Sequence, residues 1–395
     1  MKITAAFISV AVAVLAVAEA RPDGAVHLTR NPNYKPNARA QIAKLNKRYP
    51  HLKIAGGSLA TTSGGSGTVP LTDVSPDLEY YGTVKVGTPA QSLRLDFDTG
   101  SSDIWFPSST CKTAACKSHR RFNTGKSSTY KKDGRKWSIE YGDGSSASGT
   151  LGSDMVDVGG VKVRQTIGLS TKESSEFEQE PEDGLFGLAF SDIESVSGVK
   201  TFMDNAIAGK KLKSPVVSVF LPSERRNGGK GGQYLFGDID HSRYTGSLTY
   251  VPVTEVGYWQ IKIEALQVDG KSVNQASQGI IDTGTTLLVL GDSAAKAVHK
   301  SIKGSVNDPS YGWTVPCSIK NSKANIAFKL GGKYFNVPVA DLAYEPKYTG
   351  SETCISGVQG GQDGLWILGD VFIKNNYCVF DHSKNPRIGI APLKY

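Results

Sequence analysis

The chain has 395 residues, enough for two domains or one large one, and its 39% hydrophobic and 21% charged residues fit a soluble globular protein. Its net charge of +8 sits at the front: residues 1–65 hold nine Lys/Arg against two Asp/Glu, and the remainder holds 36 against 35. A nucleic-acid partner is therefore not expected, because that reading needs a basic body or stripe.

Residues 1–20 read as a signal peptide. Lys2 precedes an apolar stretch that ends in Ala18-Glu19-Ala20, an A-x-A cleavage site. The small-residue end and the polar Arg21-Pro22-Asp23 continuation disfavour a membrane anchor, and no later run is long and apolar enough to span a bilayer. The protein is expected to be secreted, with vacuolar retention as the alternative, and to have no membrane contact once the signal is removed. Residues 21–63 read as a basic pro-segment, with a basic helix expected over 38–49. The Gly/Ser/Thr run GGSLATTSGGSG that follows offers an accessible linker. The alternative is a basic tail that stays attached.

Beyond the linker, short Val/Ile/Thr/Tyr runs broken by Gly, Asp and Ser predict a mostly β chain. YYGTVKVGTP and SLRLDFDTG predict a hairpin around Gly87-Thr88-Pro89. KWSIEYGDGSSASGTLGSDMVDVGG predicts a longer hairpin with a polar tip. Helices are expected at 201–208 and 293–302. Secretion makes disulfides permissible. Cys111 and Cys116 bracket a small loop, Cys317 and Cys354 could close a larger one, and Cys378 in a strand-like run reads as a buried free thiol; other pairings remain open. No C-x-x-C or H-E-x-x-H spacing is present, so no metal site is expected. No N-x-Ser/Thr sequon occurs either.

The chain contains an internal repeat. FDTGSS at Phe97 is echoed by IDTGTT at Ile281, and GLFGLAF at Gly184 by WILGDVF at Trp366. Asp98 precedes Gly187 by 89 positions, and Asp282 precedes Gly369 by 87. Average usage puts one D-T-G in about one chain in ten of this length. Two, each with an apolar-apolar-Gly partner in the same order, point to two similar β lobes.

One Asp per lobe brings a pair to a shared axis. Gly100 and Gly284 let the two backbones approach closely. Thr99 and Thr283 can hydrogen-bond across the interface, and Ser101 and Thr285 can donate to the carboxylates. Two carboxylates in contact cannot both ionise cheaply, so the pair holds one proton and titrates as a unit. The ionised member can take a proton from a water while the protonated member polarises an amide carbonyl.

On these motifs, with YGDGS at Tyr141, the chain resembles the pepsin-family aspartic endopeptidases, most of all the secreted fungal enzymes of the rhizopuspepsin type. The resemblance covers nearly everything from GTVPLTD to the C-terminus. It implies an all-β, bilobal double β-barrel with a cleft between an N-terminal lobe, 64–250, and a C-terminal lobe, 251–395. It implies a monomer that cleaves proteins and peptides without a cofactor, made as a zymogen whose pro-segment inhibits it. Asp98 and Asp282 would be the dyad, with Tyr141 and Gly142 in the flap and Trp105 behind it. Asp96, on the same strand face as Asp98, and Asp143, near the flap tip, would border the pocket before the scissile bond. An acidic rim there would admit Lys beside large apolar side chains. Lys44 is the candidate to sit against the dyad, with Lys47 as alternate, although Leu45 replaces the Tyr common in relatives. The mature start is expected near Gly64.

Three rival readings are weaker. A non-catalytic relative would be expected to damage a D-T-G or the flap. A serine hydrolase finds no G-x-S-x-G. A lectin-like β protein leaves the duplicated Asp turns unexplained.

Overall fold

The computed structural model describes residues 66–74, 79–141, 145–273, 277–361 and 364–395. The signal, the pro-segment with its helix, Lys44 and Lys47, and the flap residues Gly142 and Asp143 lie outside the described residues.

The β-branched and aromatic runs form strands. The first expected hairpin joins Glu79–Val86 to Gln91–Asp98, and the longer one joins Lys131–Glu140 to Ser146–Val158. The expected helices are present with shifted ends. One runs Phe202–Ala208, with Thr201 as its cap and a reciprocal capping box to Asp204. The other runs Asp292–Lys300 and gives way to a turn at Ser301. Helical turns at Ala114–Ser118 and Asp370–Ile373 went unanticipated, being too short to show a helical period.

The duplication read from the motifs recurs in the strand pairing. Gln91–Asp98 runs parallel to Gly184–Gly187, and Ser277–Ile281 runs parallel to Leu365–Leu368. Ile104–Pro107 is antiparallel to the first partner and parallel to Val161–Glu173. Leu288–Gly291 is antiparallel to the second partner and parallel to Val358–Gly361. Each lobe thus wedges an Asp-bearing strand and the strand after its turn around one apolar-apolar-Gly strand.

An antiparallel six-stranded sheet joins the lobes, in the order 67–70, 233–236, 216–220, 376–381, 387–392 and 249–252. Its central pair, Val216–Phe220 and Asn376–Asp381, is buried throughout. The fold is all-β and bilobal, the double-barrel architecture implied by the resemblance. Behind Asp98 the N-terminal core is a cluster of rings: Phe97 stacks on Phe186 and Tyr234, and Phe202 and Phe236 meet Phe186 edge-on. Disulfides join Cys111 to Cys116 and Cys317 to Cys354, and Cys378 is buried and free.

Candidate active site

The strand Gln91–Asp98 alternates, with Leu93, Leu95 and Phe97 buried in the core. The opposite face carries Arg94, Asp96 and Asp98. Asp96 is half-buried there, whereas Asp98, at the strand end, is only 1% exposed. Asp282 follows Ile281 in the same way and is fully buried. Each carboxylate is held by its own turn. Gly100 N and Ser101 Oγ donate to Asp98 at 2.8 and 2.5 Å. Gly284 N and Thr285 Oγ1 donate to Asp282 at 3.0 and 2.5 Å. Hydrogen bonds of this length fix both position and rotamer.

The turns are bonded to each other. Thr99 N donates to Thr283 Oγ1, and Thr283 N donates to Thr99 Oγ1, both at 3.0 Å. Each hydroxyl then donates onward across the seam: Thr99 to Ile281 O at 3.0 Å, and Thr283 to Phe97 O at 2.6 Å. The arrangement repeats itself under a twofold exchange of lobes. Glycine is obligatory where the lobes meet, since a Cβ on Gly284 would lie 2.1 Å from Asp98 Oδ1. The carboxyl of Asp98 therefore rests against the turn that carries Asp282. The repeated glycines of the partner strands have the same cause. A Cβ on Gly187 would meet Ser102 C at 2.3 Å, and one on Gly369 would meet Thr285 O at 2.0 Å.

At the base of the long hairpin's tip, Trp105 Nε1 donates to Tyr141 Oη at 2.5 Å. Phe177 packs edge-on against both rings. Trp137 lies beside Trp105, and its Nε1 donates to Asp103 Oδ1 at 2.8 Å. Ser195 closes the rear of this group, its backbone N donating to Asp103 Oδ2 at 3.1 Å and its hydroxyl to Oδ1.

Two buried carboxylates thus stand on cross-bonded turns, and an aromatic-backed hairpin belongs to the same lobe as the first of them. Residues 79–393 match the family described as eukaryotic aspartyl protease. The chain belongs to that family, the pepsin-like aspartic endopeptidases. It is 44% identical to rhizopuspepsin-2 of Rhizopus niveus over the whole of both chains. It is 42% identical to syncephapepsin of Syncephalastrum racemosum over 93% of this chain and 92% of that one. Pepsin A of Bos taurus is 41% identical over 80% of this chain and 85% of its own.

Within this aspartic endopeptidase the site draws together Asp98, Asp282, Thr99, Gly100, Ser101, Thr283, Gly284 and Thr285, and it pairs Trp105 with Tyr141. Four side chains around it went unread in the sequence. Trp137 was legible in principle, because Trp137, Ile139 and Tyr141 alternate onto one face. Phe177 sits in a polar stretch with no period to betray it. Asp103 and Tyr234 serve as internal partners, Tyr234 donating to Phe97 O at 2.8 Å from far along the chain. Burial pushes the Tyr234 phenol well above its ordinary range, so it stays a donor. Beside Ser195, burial together with Asp103 and Asp204 pushes the Glu194 carboxyl up to about 9.

Proposed function

We propose that Asp98 and Asp282 form the catalytic dyad of this endopeptidase and share one proton, as is established for aspartic proteases. The carrying observation is the reciprocal bonding of Thr99 and Thr283, which locks the two carboxylate-bearing turns into one unit. The ionised carboxylate removes a proton from a water bound between the acids. The water oxygen adds to the peptide carbonyl carbon while the protonated carboxyl gives its proton to the carbonyl oxygen. Collapse of the resulting diol breaks the C–N bond, and the leaving nitrogen takes a proton back from the pair. Gly100, Ser101, Gly284 and Thr285 orient the carboxylates and keep them in place between cycles.

Tyr141 and Gly142 close over the substrate, with Trp105 fixing the Tyr141 ring. Asp96 and Asp143 rim the pocket for the residue before the scissile bond, so the enzyme accepts Lys there beside large apolar residues and can activate zymogens by such cleavage. Residues 1–20 act as a signal for secretion and 21–63 as an inhibitory pro-segment. Two lobes, 64–250 and 251–395, follow in a monomer. At neutral pH the basic pro-segment pairs with carboxylates of the cleft, through Lys44 or Lys47. Acid protonates those carboxylates, the pairs weaken and the segment leaves.

Haemoglobin digestion by the processed protein between about pH 2 and 7 tests the dyad. Cleavage is expected only in acid, blocked by pepstatin and absent in Asp98→Asn and Asp282→Asn. Undiminished cleavage by either variant overturns the assignment. Asp143→Ser should reduce cleavage after Lys selectively, and equal loss on apolar substrates contradicts the acidic rim.

A further inference from the structure

Besides the Thr99–Thr283 bonds, a second route joins the two aspartate-bearing segments, and it runs through Trp259. Leu188 N donates to Asp98 O at 2.8 Å, and Ala189 N donates to Ser101 O at 2.8 Å, so the segment after Gly187 holds both ends of the Asp98 turn. Trp259, from the C-terminal lobe, donates its indole Nε1–H to Leu188 O at 3.0 Å. Its own carbonyl accepts from Ile281 N at 3.1 Å, one residue before Asp282. Ile281 O accepts in turn from Thr99 Oγ1 at 3.0 Å, and Thr99 follows Asp98 in the chain. These bonds close a ring through Asp98, Leu188, Trp259, Ile281 and Thr99 that crosses the lobe seam twice.

We propose that Trp259 is a positioning residue for the carboxylate pair: its indole N–H fixes the Asp98 turn against the Asp282 strand and so sets the spacing of the two acids. This rests on the reading of Asp98 and Asp282 as the dyad. Trp259 is fully buried, so it acts through its neighbours and not by touching substrate. A buried indole needs an acceptor for its one N–H, and many carbonyls would meet that need. Here the acceptor belongs to the residue whose own N–H holds Asp98. The indole is packed by Phe190 at 4.5 Å, His382 at 4.7 Å and Phe380 at 5.1 Å. Close beside it, Phe190 N donates to Gly257 O at 3.3 Å. A donor wedged in a close-packed seam has little room to follow a displaced turn.

The internal repeat does not dictate this contact. In strand register Tyr81 pairs with Asp96 and Gln260 with Ile280, each partner two residues before its aspartate, which makes Tyr80 the counterpart of Trp259. The Tyr80 hydroxyl donates to Pro222 O at 3.0 Å. The indole bridge is therefore an addition to a site whose other bonds obey the twofold exchange. Without its N–H, Leu188 O loses this donor inside the seam, and the Asp98 turn gains freedom relative to Asp282. Carboxylates that drift apart repel each other less, so the two steps in which the pair gives up its protons draw together.

Hydrolysis of a synthetic peptide by the processed enzyme, from about pH 2 to 7, tests this. Trp259→Phe keeps an aromatic ring and removes the N–H. It is expected to lower kcat about tenfold, to move KM less than about twofold, and to narrow the gap between the two limbs of the kcat profile by about half a pH unit or more. Replacing the Trp259 indole by benzothiophene, the same bicycle with sulfur in place of N–H, keeps the contacts with Phe190, Phe380 and His382 and is expected to do the same. Phe380→Leu loosens the packing of that ring and leaves the N–H bonded. It is expected to lower the melting temperature and to leave the limbs where they were. Unchanged kcat and limbs in the benzothiophene protein, a loss carried by KM, or an equal kinetic change in Phe380→Leu would each overturn the bridge. Asp98→Asn, measured alongside, separates the two readings. Its undiminished cleavage would overturn the dyad itself, whereas its inactivity beside an unaltered benzothiophene protein would overturn the bridge alone.

Discussion

Thr283 does more for the site than its size suggests. Its hydroxyl accepts from Thr99 N and donates to Phe97 O, so one small side chain ties both Asp-bearing strands together. Thr283→Ala leaves a buried N–H unpaired and is expected to cost about 2–3 kcal/mol in denaturant unfolding. It should lower kcat about tenfold while KM moves less than about twofold, since the substrate pocket is untouched. Thr283→Ser should restore most of both. Gly284→Ala acts on the other side of the contact. The added Cβ has to displace the Asp98 carboxyl by a large part of an ångström, and a fall in kcat of about 100-fold or more is expected in peptide hydrolysis. These residues were legible because the motif occurs twice. Tyr234 and Asp103 were not, since their roles lie in contacts far along the chain that no local pattern encodes. Glu194 gives a pH-dependent case. Its carboxyl is raised to about 9, so the fold gains from it fully below the ordinary carboxylate range and loses that gain as pH rises toward 9. Glu194→Gln should therefore stabilise the protein at pH 7, by about 1–2 kcal/mol after allowance for its partial exposure, and leave it unchanged near pH 4. Thermal unfolding at the two pH values reads this directly.

The hairpin of Lys131–Glu140 and Ser146–Val158 is backed by a chain of side-chain contacts. Tyr141, Trp105, Trp137, Asp103 and Ser195 form a continuous path from the hairpin to the 191–195 turn. Tyr141→Phe removes the oxygen that accepts from Trp105. The expected result is a fall of about tenfold in kcat/KM with a change in melting temperature under about 1 °C, because the ring still packs and its edge is solvated. A drop in stability without a change in kinetics would assign Tyr141 to the core alone. At this scale the hairpins were readable from period-2 alternation and turn residues. The sheet between the lobes was not, for Val216–Phe220 and Asn376–Asp381 are each buried at every position, so neither alternates, and their pairing is wholly non-local.

Across the whole molecule, buried titratable groups pull in opposite directions. His299 and His382 are both held down to about 4 by burial, so each costs stability as pH falls from about 6.5 to about 4. Glu194 costs stability as pH rises from about 4.5 toward 9. Melting temperature should thus peak between about pH 4.5 and 6.5, above the range of best activity, when followed by calorimetry on the Asp98→Asn protein. The two-lobed plan itself was evident in the sequence from the spacing of the repeats, because each lobe needs its Asp turn and its glycine partner at a fixed distance. Asp98 and Asp282 are proposed to work as one titrating unit. The profile of kcat/KM against pH for a synthetic peptide, from about pH 2 to 7, tests it most directly. A bell with both limbs in acid, abolished by pepstatin, is expected. A single limb, or a maximum near neutrality that pepstatin leaves intact, would contradict it.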